Sequence, residues 1–231
     1  MPYYSIAMDF SNAEFYILLA DKNSGKILLS ENISVKGKDS AKIAHYTLEA
    51  IKRLEISVNE ISEWTIGSGP GSFTGLRLLT SLVKGLTFGD DKLKTRTIPS
   101  AFSFVDTTLL SPNDKFVVLH DGRRDEVIVF NGKMDESNTL SKEYSITILK
   151  YDQLLDKGRL DDINFIFTPN KIKDILPESI TDELNDKIKV VNSQDLTHLV
   201  FSNNKEFDND LNDLIYVRPA VFVEPRKVRN L

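Results

Sequence analysis

Polar and apolar positions alternate from the first residues of the chain: Tyr3, Ser5, Ala7 and Asp9 interleave with Tyr4, Ile6 and Met8, the period of a strand. Residues 14–20 form a second apolar run of Phe, Tyr, Ile and Leu, and after the turn residues Asp21–Gly25 a third strand is predicted over Lys26–Val35. The period then changes to that of a helix. Ala44, Leu48 and Ile51 make one stripe, and Ile43, Thr47, Ala50 and Leu54 a neighbouring one, with Asp39 or Ser40 as the expected cap. A short β-branched segment follows and runs into Gly67-Ser-Gly-Pro-Gly-Ser-Phe-Thr-Gly75, the punctuation of a tight strand-to-helix turn. Beyond it Leu76, Leu79, Leu82, Val83 and Leu86 recur at helical spacing, with Ser72 and Thr74 as cap candidates. The order is therefore βββαβα.

The second half repeats the order less distinctly. Ile98-Pro99 ends a strand, Ser100–Leu110 is predicted helical, and the loop Ser111–Asp114 marks a junction between residues 1–110 and residues 111–231. Strands are expected over Phe116–Leu119 and Glu126–Phe130, around a turn at His120-Asp-Gly, and again over Tyr144–Leu149, Asn164–Phe167 and Lys187–Val191. Short helices are expected over Lys171–Leu176 and Gln194–Asn203. Lys133–Lys142 is a loop and Glu206–Asp213 an acidic linker.

A turn of this kind aims backbone N–H groups and the positive end of a helix into one space, the geometry that holds a phosphate. Gly69, Gly71, Ser72 and Thr74, with Asp9 and Ser11 at the end of the first strand, are the candidate nucleotide site. It is neither a Walker A loop, since no Gly-Lys-Ser/Thr closes it, nor a dinucleotide fingerprint, since Thr74 stands where the third glycine belongs.

The residues Gly69-Pro-Gly-Ser-Phe-Thr-Gly-Leu-Arg77 resemble the signature of the TsaB (YeaZ) family, bacterial proteins of tRNA threonylcarbamoyladenosine biosynthesis. The strand ending in Asp9, the stretch Asp121-Gly-Arg-Arg-Asp-Glu-Val127 and the C-terminal Tyr216-Val-Arg-Pro219 extend the likeness over nearly the whole chain. It implies an α/β actin-like ATPase fold (ASKHA, ribonuclease H-like) with two βββαβα-type lobes. It also implies a non-catalytic subunit that forms a heterodimer with TsaD, the enzyme of threonylcarbamoyl transfer, helps recruit the ATPase TsaE, and meets tRNA only through the complex. Ala44, Thr47, Leu48 and Ile51 on one helix, and Gly75, Leu78, Leu79, Leu82, Val83 and Leu86 on the other, are the implied partner surface. The same face would serve a homodimer of the isolated chain. No cofactor is intrinsic in this reading, with ATP or ADP and Mg²⁺ placed, if anywhere, at the joint with the partner.

Composition narrows the alternatives. A net charge of −5 disfavours a protein that grips nucleic acid unaided, and Arg218, Arg226, Lys227 and Arg229 are the one concentrated basic tract, expected to be a solvated tail. With no cysteine there is no disulfide, thiolate zinc site or cysteine nucleophile. The three histidines, His45, His120 and His198, are far apart, and Ser100-Ala-Phe-Ser-Phe-Val105 stands where TsaD carries its His-x-x-x-His, so neither a metal site nor catalytic residues are expected. The apolar runs are too short to span a membrane and no leader opens the sequence, so the cytoplasm is the expected location. The alternative within the same superfold is an ATP-dependent small-molecule kinase using Asp9 and the glycine turn.

Overall fold

Strand β1 (Tyr4–Asp9) is buried on both faces, with Ile6 and Met8 entering one interior and Ala7 and Asp9 the other. It is the middle of a five-stranded sheet. β2 (Glu14–Asp21) and β3 (Lys26–Ser34) continue from it as an antiparallel meander, while β4 (Ile61–Gly67) and β5 (Lys94–Ile98) add in parallel on its other side, giving the order β3-β2-β1-β4-β5. Helices α1 (Ile43–Arg53) and α2 (Phe73–Leu86) make the crossovers. The computed structural model describes residues 3–12, 14–35, 41–156, 159–169, 176–201 and 205–217.

A second sheet repeats that topology. β6 (Lys115–Arg123), β7 (Glu126–Lys133) and β8 (Ser145–Lys150) form its antiparallel meander, and β9 (Phe165–Pro169) and β10 (Ile188–Val191) its parallel side, in the order β10-β9-β6-β7-β8. Among the described residues, the crossovers contain a 3₁₀ turn over Tyr151–Leu155 and the six-residue helix α3 (Glu178–Glu183). Two sheets built 3-2-1-4-5 with helical crossovers are the actin-like ATPase architecture.

Three apolar layers result. α1 and α2 cover the outer face of the first sheet with Ile43, Ala50, Ile51, Leu79 and Val83 against Ile6, Met8, Trp64 and Ile66. Full burial of each large side chain there contributes about 2 kcal/mol. Ala7, Leu18, Phe102, Phe116, Val118 and Phe130 form a seam between the two sheets, and Leu119, Val129, Leu154 and Ile180 pack the outer face of the second.

The last part of the chain crosses back. After β10, the short helix α4 (Thr197–Val200) enters the seam, and residues 205–215 run along the first sheet. Asn209 donates its N–H to the Thr95 carbonyl at 2.9 Å and Ile215 to that of Ser68 at 2.8 Å, while Leu211 is buried among the residues that pack α2. Arg96 fastens the crossing: buried, it donates to the carbonyls of Leu199 (3.0 Å) and Lys205 (2.6 Å), and its guanidinium lies 4.2 Å from the Phe207 ring centre. The predicted acidic linker is thus a strap held by specific bonds.

Other expectations change in detail. The expected caps Asp39 and Ser40 lie outside the described residues, and α1 begins after Lys42 without a side-chain cap. Ser100–Leu110 forms two 3₁₀ turns, Ser100–Phe104 and Thr107–Leu109, instead of one helix. His120-Asp-Gly is not a turn: β6 runs on to Arg123, and Arg123, Arg124 and Asp125 reverse the chain with φ of 62°, 53° and 62°. Of the predicted helix 171–176, residues 171–175 lie outside the described residues, as does the basic tract from Arg218 onward. Among the described residues no helix is long and apolar enough to cross a membrane.

Candidate functional site

The glycine turn and the end of β1 do come together, and they fill one another. Asp9 is fully buried, and Oδ1 of its carboxylate accepts the Ser11 N–H at 2.9 Å, the Ser11 hydroxyl at 2.6 Å and the Gln194 Nε2–H at 3.1 Å. Oδ2 accepts the Ser100 hydroxyl. Burying a carboxyl group is costly unless it is hydrogen-bonded, and here four protein donors converge on it.

The loop is drawn against the same turn. Ser72 donates its N–H to the Ser11 carbonyl at 2.6 Å, and its hydroxyl caps α2 by accepting from the Gly75 N–H at 3.3 Å. Gly69 N–H goes to Ser100 Oγ at 2.9 Å, and Ser100 N–H returns to the Gly69 carbonyl at 2.8 Å. A Cβ on Gly67 would meet the Asp9 carboxylate, one on Gly71 the Ser11 carbonyl, and one on Gly75 the Phe10 carbonyl. These glycines let the β1–β2 turn sit directly on the loop. Of the six residues expected to hold a nucleotide, Asp9, Ser11, Gly69 and Ser72 are engaged with protein partners; Gly71 and Thr74 are exposed at the rim.

The ten residues expected to form a partner surface divide into two groups. Thr47, Ile51, Gly75, Leu79 and Val83 are buried under their own sheet, because the apolar stripe of each helix is wider than its exposed part. Gly75 owes its missing side chain to the Phe10 carbonyl, not to a neighbouring helix. Ala44, Leu48, Leu78, Leu82 and Leu86 keep part of their surface in solvent, Leu48 at 42%. Beside Leu48 an open groove of about 440 Å³ continues over Ile51, Ile56 and Val58, rimmed by Lys52 and Glu60.

At the N-terminal end of α2 the signature meets the C-terminal motif. Phe73 and Tyr216, each more than two-fifths exposed, pack in a tilted pair with ring centres 5.0 Å apart, and the Arg77 guanidinium lies 4.6 Å from the Phe73 ring centre.

His120 and Asp121 are separated by the pleat, as neighbours on a strand must be. His120 is buried against the edge of Phe104 with centres 5.3 Å apart, and its Nε2 has no hydrogen-bond partner among the described residues. Burial pushes its pKa from 6.5 down to about 4, so it is neutral at physiological pH. Asp121 is exposed and accepts the Arg123 N–H at 2.7 Å, bracing the hairpin. Among the described residues no three His, Cys, Asp or Glu side chains converge as metal ligands.

Two participants escape sequence reasoning. Ser100 lies in the stretch noticed only for lacking histidine, and Gln194 reaches Asp9 across 185 residues with no motif around it.

The model of a family described as "TsaD: tRNA N6-adenosine threonylcarbamoyltransferase" matches residues 36–227. No curated protein matches the sequence. Among solved structures the chain is similar to an uncharacterized protein with similarity to peptidase YEAZ from Pseudomonas aeruginosa, with a TM-score of 0.66 and 14% identity over 94% of this chain and 100% of that one. It is also similar to YeaZ from Pseudomonas aeruginosa, with a TM-score of 0.53 and 16% identity over 67% of this chain and 70% of that one. Both likenesses are of fold.

Proposed function

Since this chain belongs to the TsaD (tRNA N6-adenosine threonylcarbamoyltransferase) family, we propose that it works in tRNA threonylcarbamoyladenosine formation as a non-catalytic subunit of the YeaZ (TsaB) type. It docks on a TsaD partner, which carries out the transfer, and helps that partner recruit the ATPase TsaE. The observation that carries this reading is the Ser100–Asp9 contact. Where the catalytic relative is expected to carry metal-binding histidines, this chain has Ser100-Ala-Phe-Ser-Phe104, wholly buried, and the first of these residues occupies the carboxylate that a kinase of this fold needs for Mg²⁺.

Part of what remains outward is apolar. The exposed sides of α1 and α2, through Leu48, Leu78, Leu82 and Leu86, form a patch whose burial by a second subunit is favourable. Nucleotide with Mg²⁺ has a place in this reading only at the joint with TsaD, where the partner supplies the phosphate contacts.

The test is a tRNA modification assay reconstituted with TsaD, TsaE and threonylcarbamoyl-adenylate, with and without this chain. Modification should depend on the chain and be lost with Leu82→Asp, whose folding is checked by circular dichroism. Full modification without the chain, or transfer by the chain alone, overturns the proposal.

A further inference from the structure

The seam between the sheets is mostly apolar but is crossed by a few directional polar contacts, one of which joins two buried side chains. Gln194 lies three residues beyond β10, the last strand of the second sheet; Asp9 ends β1, the central strand of the first. Their side chains meet at 3.1 Å with both residues buried. We propose that Gln194 is a latch that fixes the angle between the lobes, doing without a ligand what a bound ligand does in two-lobed proteins that close around one.

Three observations carry it. Ser11 and Ser100, the other donors to Asp9, belong to the first sheet's own loops, so their bonds hold Asp9 in place without joining the lobes; Gln194 arrives from the second sheet. The latch also has a cost. Gln194 Oε1 is buried with no hydrogen-bond partner among the described residues, an expense that a leucine or methionine filling the same space would avoid. An amide that leaves its acceptor unpaired is there for its donor, and the donor's partner is a carboxylate, which makes the stronger kind of bond. Finally, the residue next in sequence is anchored independently: Asp195 donates its N–H to the Ser103 carbonyl at 2.8 Å, which holds the backbone where the amide reaches Asp9.

Apolar contacts in the seam resist separation but tolerate sliding. A hydrogen bond between fixed atoms selects one angle. The latch therefore presents α1 and α2 at a set orientation relative to the second lobe, whatever nucleotide is present. The inference stands on the Asp9–Gln194 contact and is independent of the proposed subunit role.

Two variants of the full chain test it, Gln194→Glu and Gln194→Met, read by amide hydrogen exchange at Ser11 and Ser72 and by small-angle scattering at pH 5 and pH 8, with intrinsic exchange rates corrected. Glu keeps the shape but sets a second carboxyl against Asp9. Two carboxylates in contact cannot both stay ionised cheaply, so a shared proton closes the pair at pH 5 and its loss opens it at pH 8. Glu14, Tyr16 and Glu31 are the titratable groups near Gln194 on the facing strands, and they are common to all the proteins compared. His120, in the same seam, stays neutral over this range.

Expected are at least tenfold faster exchange at Ser11 and Ser72 and a larger radius of gyration for Gln194→Glu at pH 8, both reverting at pH 5. Gln194→Met should be faster at both pH values, and the natural chain protected at both. Unchanged seam protection and radius in Gln194→Met overturn the latch, as does a loss of protection spread evenly over the chain. If Gln194→Glu fails to fold at pH 8, Gln194→Met decides alone.

Discussion

The central strands of the two sheets each carry one titratable residue into the seam, and the two are accommodated in opposite ways. Asp9 on β1 collects hydrogen-bond donors from three separate parts of the chain. His120 on β6 collects none at Nε2 among the described residues and instead gives up its charge, with its pKa lowered to about 4 by burial. The helices differ as well. In the first lobe the crossovers are helices of 11 and 14 residues; in the second the described residues of the crossovers include a five-residue 3₁₀ turn and a six-residue helix. One topology used twice thus yields one lobe with apolar helix surface to spare and a polar lock, and another whose described crossover residues Leu154 and Ile180 cover their own sheet.

The sharpest way to break this comparison is to place a charge on each side of α2. Leu79→Asp, on the fully buried side, should cost about 4 kcal/mol and leave little folded protein by thermal melting, because an unpaired charge would enter the outer layer of the first sheet. Leu82→Asp, on the half-exposed side, should melt within a few degrees of the natural chain yet bind TsaD at least about 30-fold more weakly, or about 2 kcal/mol. A folded Leu82→Asp protein with undiminished binding would remove α2 from the interface.

The second prediction concerns His120. Its imidazole titrates near 6.5 in the unfolded chain and near 4 when folded, so between those values the unfolded state binds the extra proton and stability falls as the pH falls. The natural chain should lose about 3 kcal/mol from this residue between pH 7 and below pH 4. His120→Leu should not. Melting temperatures of both proteins across that range would separate this loss from the acid response they share; parallel curves would contradict the buried, neutral histidine.

The smallest effects should come from two glycines of one helix. Gly75→Ala drives a methyl into the Phe10 carbonyl and should cost about 2 kcal/mol, since backbone cannot swing aside as a side chain can. Gly85→Ala meets nothing within 4 Å and should gain about 0.5 to 1 kcal/mol. Denaturant melts would show opposite shifts. A gain at both positions would mean that the close packing of the β1–β2 turn on the glycine loop is overstated.

Much of the fold was legible because each strand of the first sheet carries its own signal. The run from Tyr4 to Asp9 alternates, the run from Phe15 to Ala20 is continuously apolar, and the glycine turn announces α2. The second half was harder to read because its described helices are too short to show a period: four residues of α4 complete barely one turn. The candidate site was half legible. Asp9 and the glycine turn were found and do meet, but spacing along the chain speaks of what a local segment offers and not of what a distant one takes. Ser100 and Gln194 consume the carboxylate from 91 and 185 residues away. Likewise the period of α2 marked Leu79 and Leu82 alike, since an apolar stripe does not reveal which of its edges the sheet will cover.

The return of residues 205–215 to β5 and α2 bears on how the chain is made. A ribosome releases the whole first sheet long before Arg96 can receive the carbonyls of Leu199 and Lys205, or Thr95 the amide of Asn209. The nascent first lobe must therefore wait, with Arg96 bonded to Thr65 but still lacking those carbonyls and one side of α2 uncovered, until residues 199–215 have been made; only then can both halves settle together as one cooperative unit.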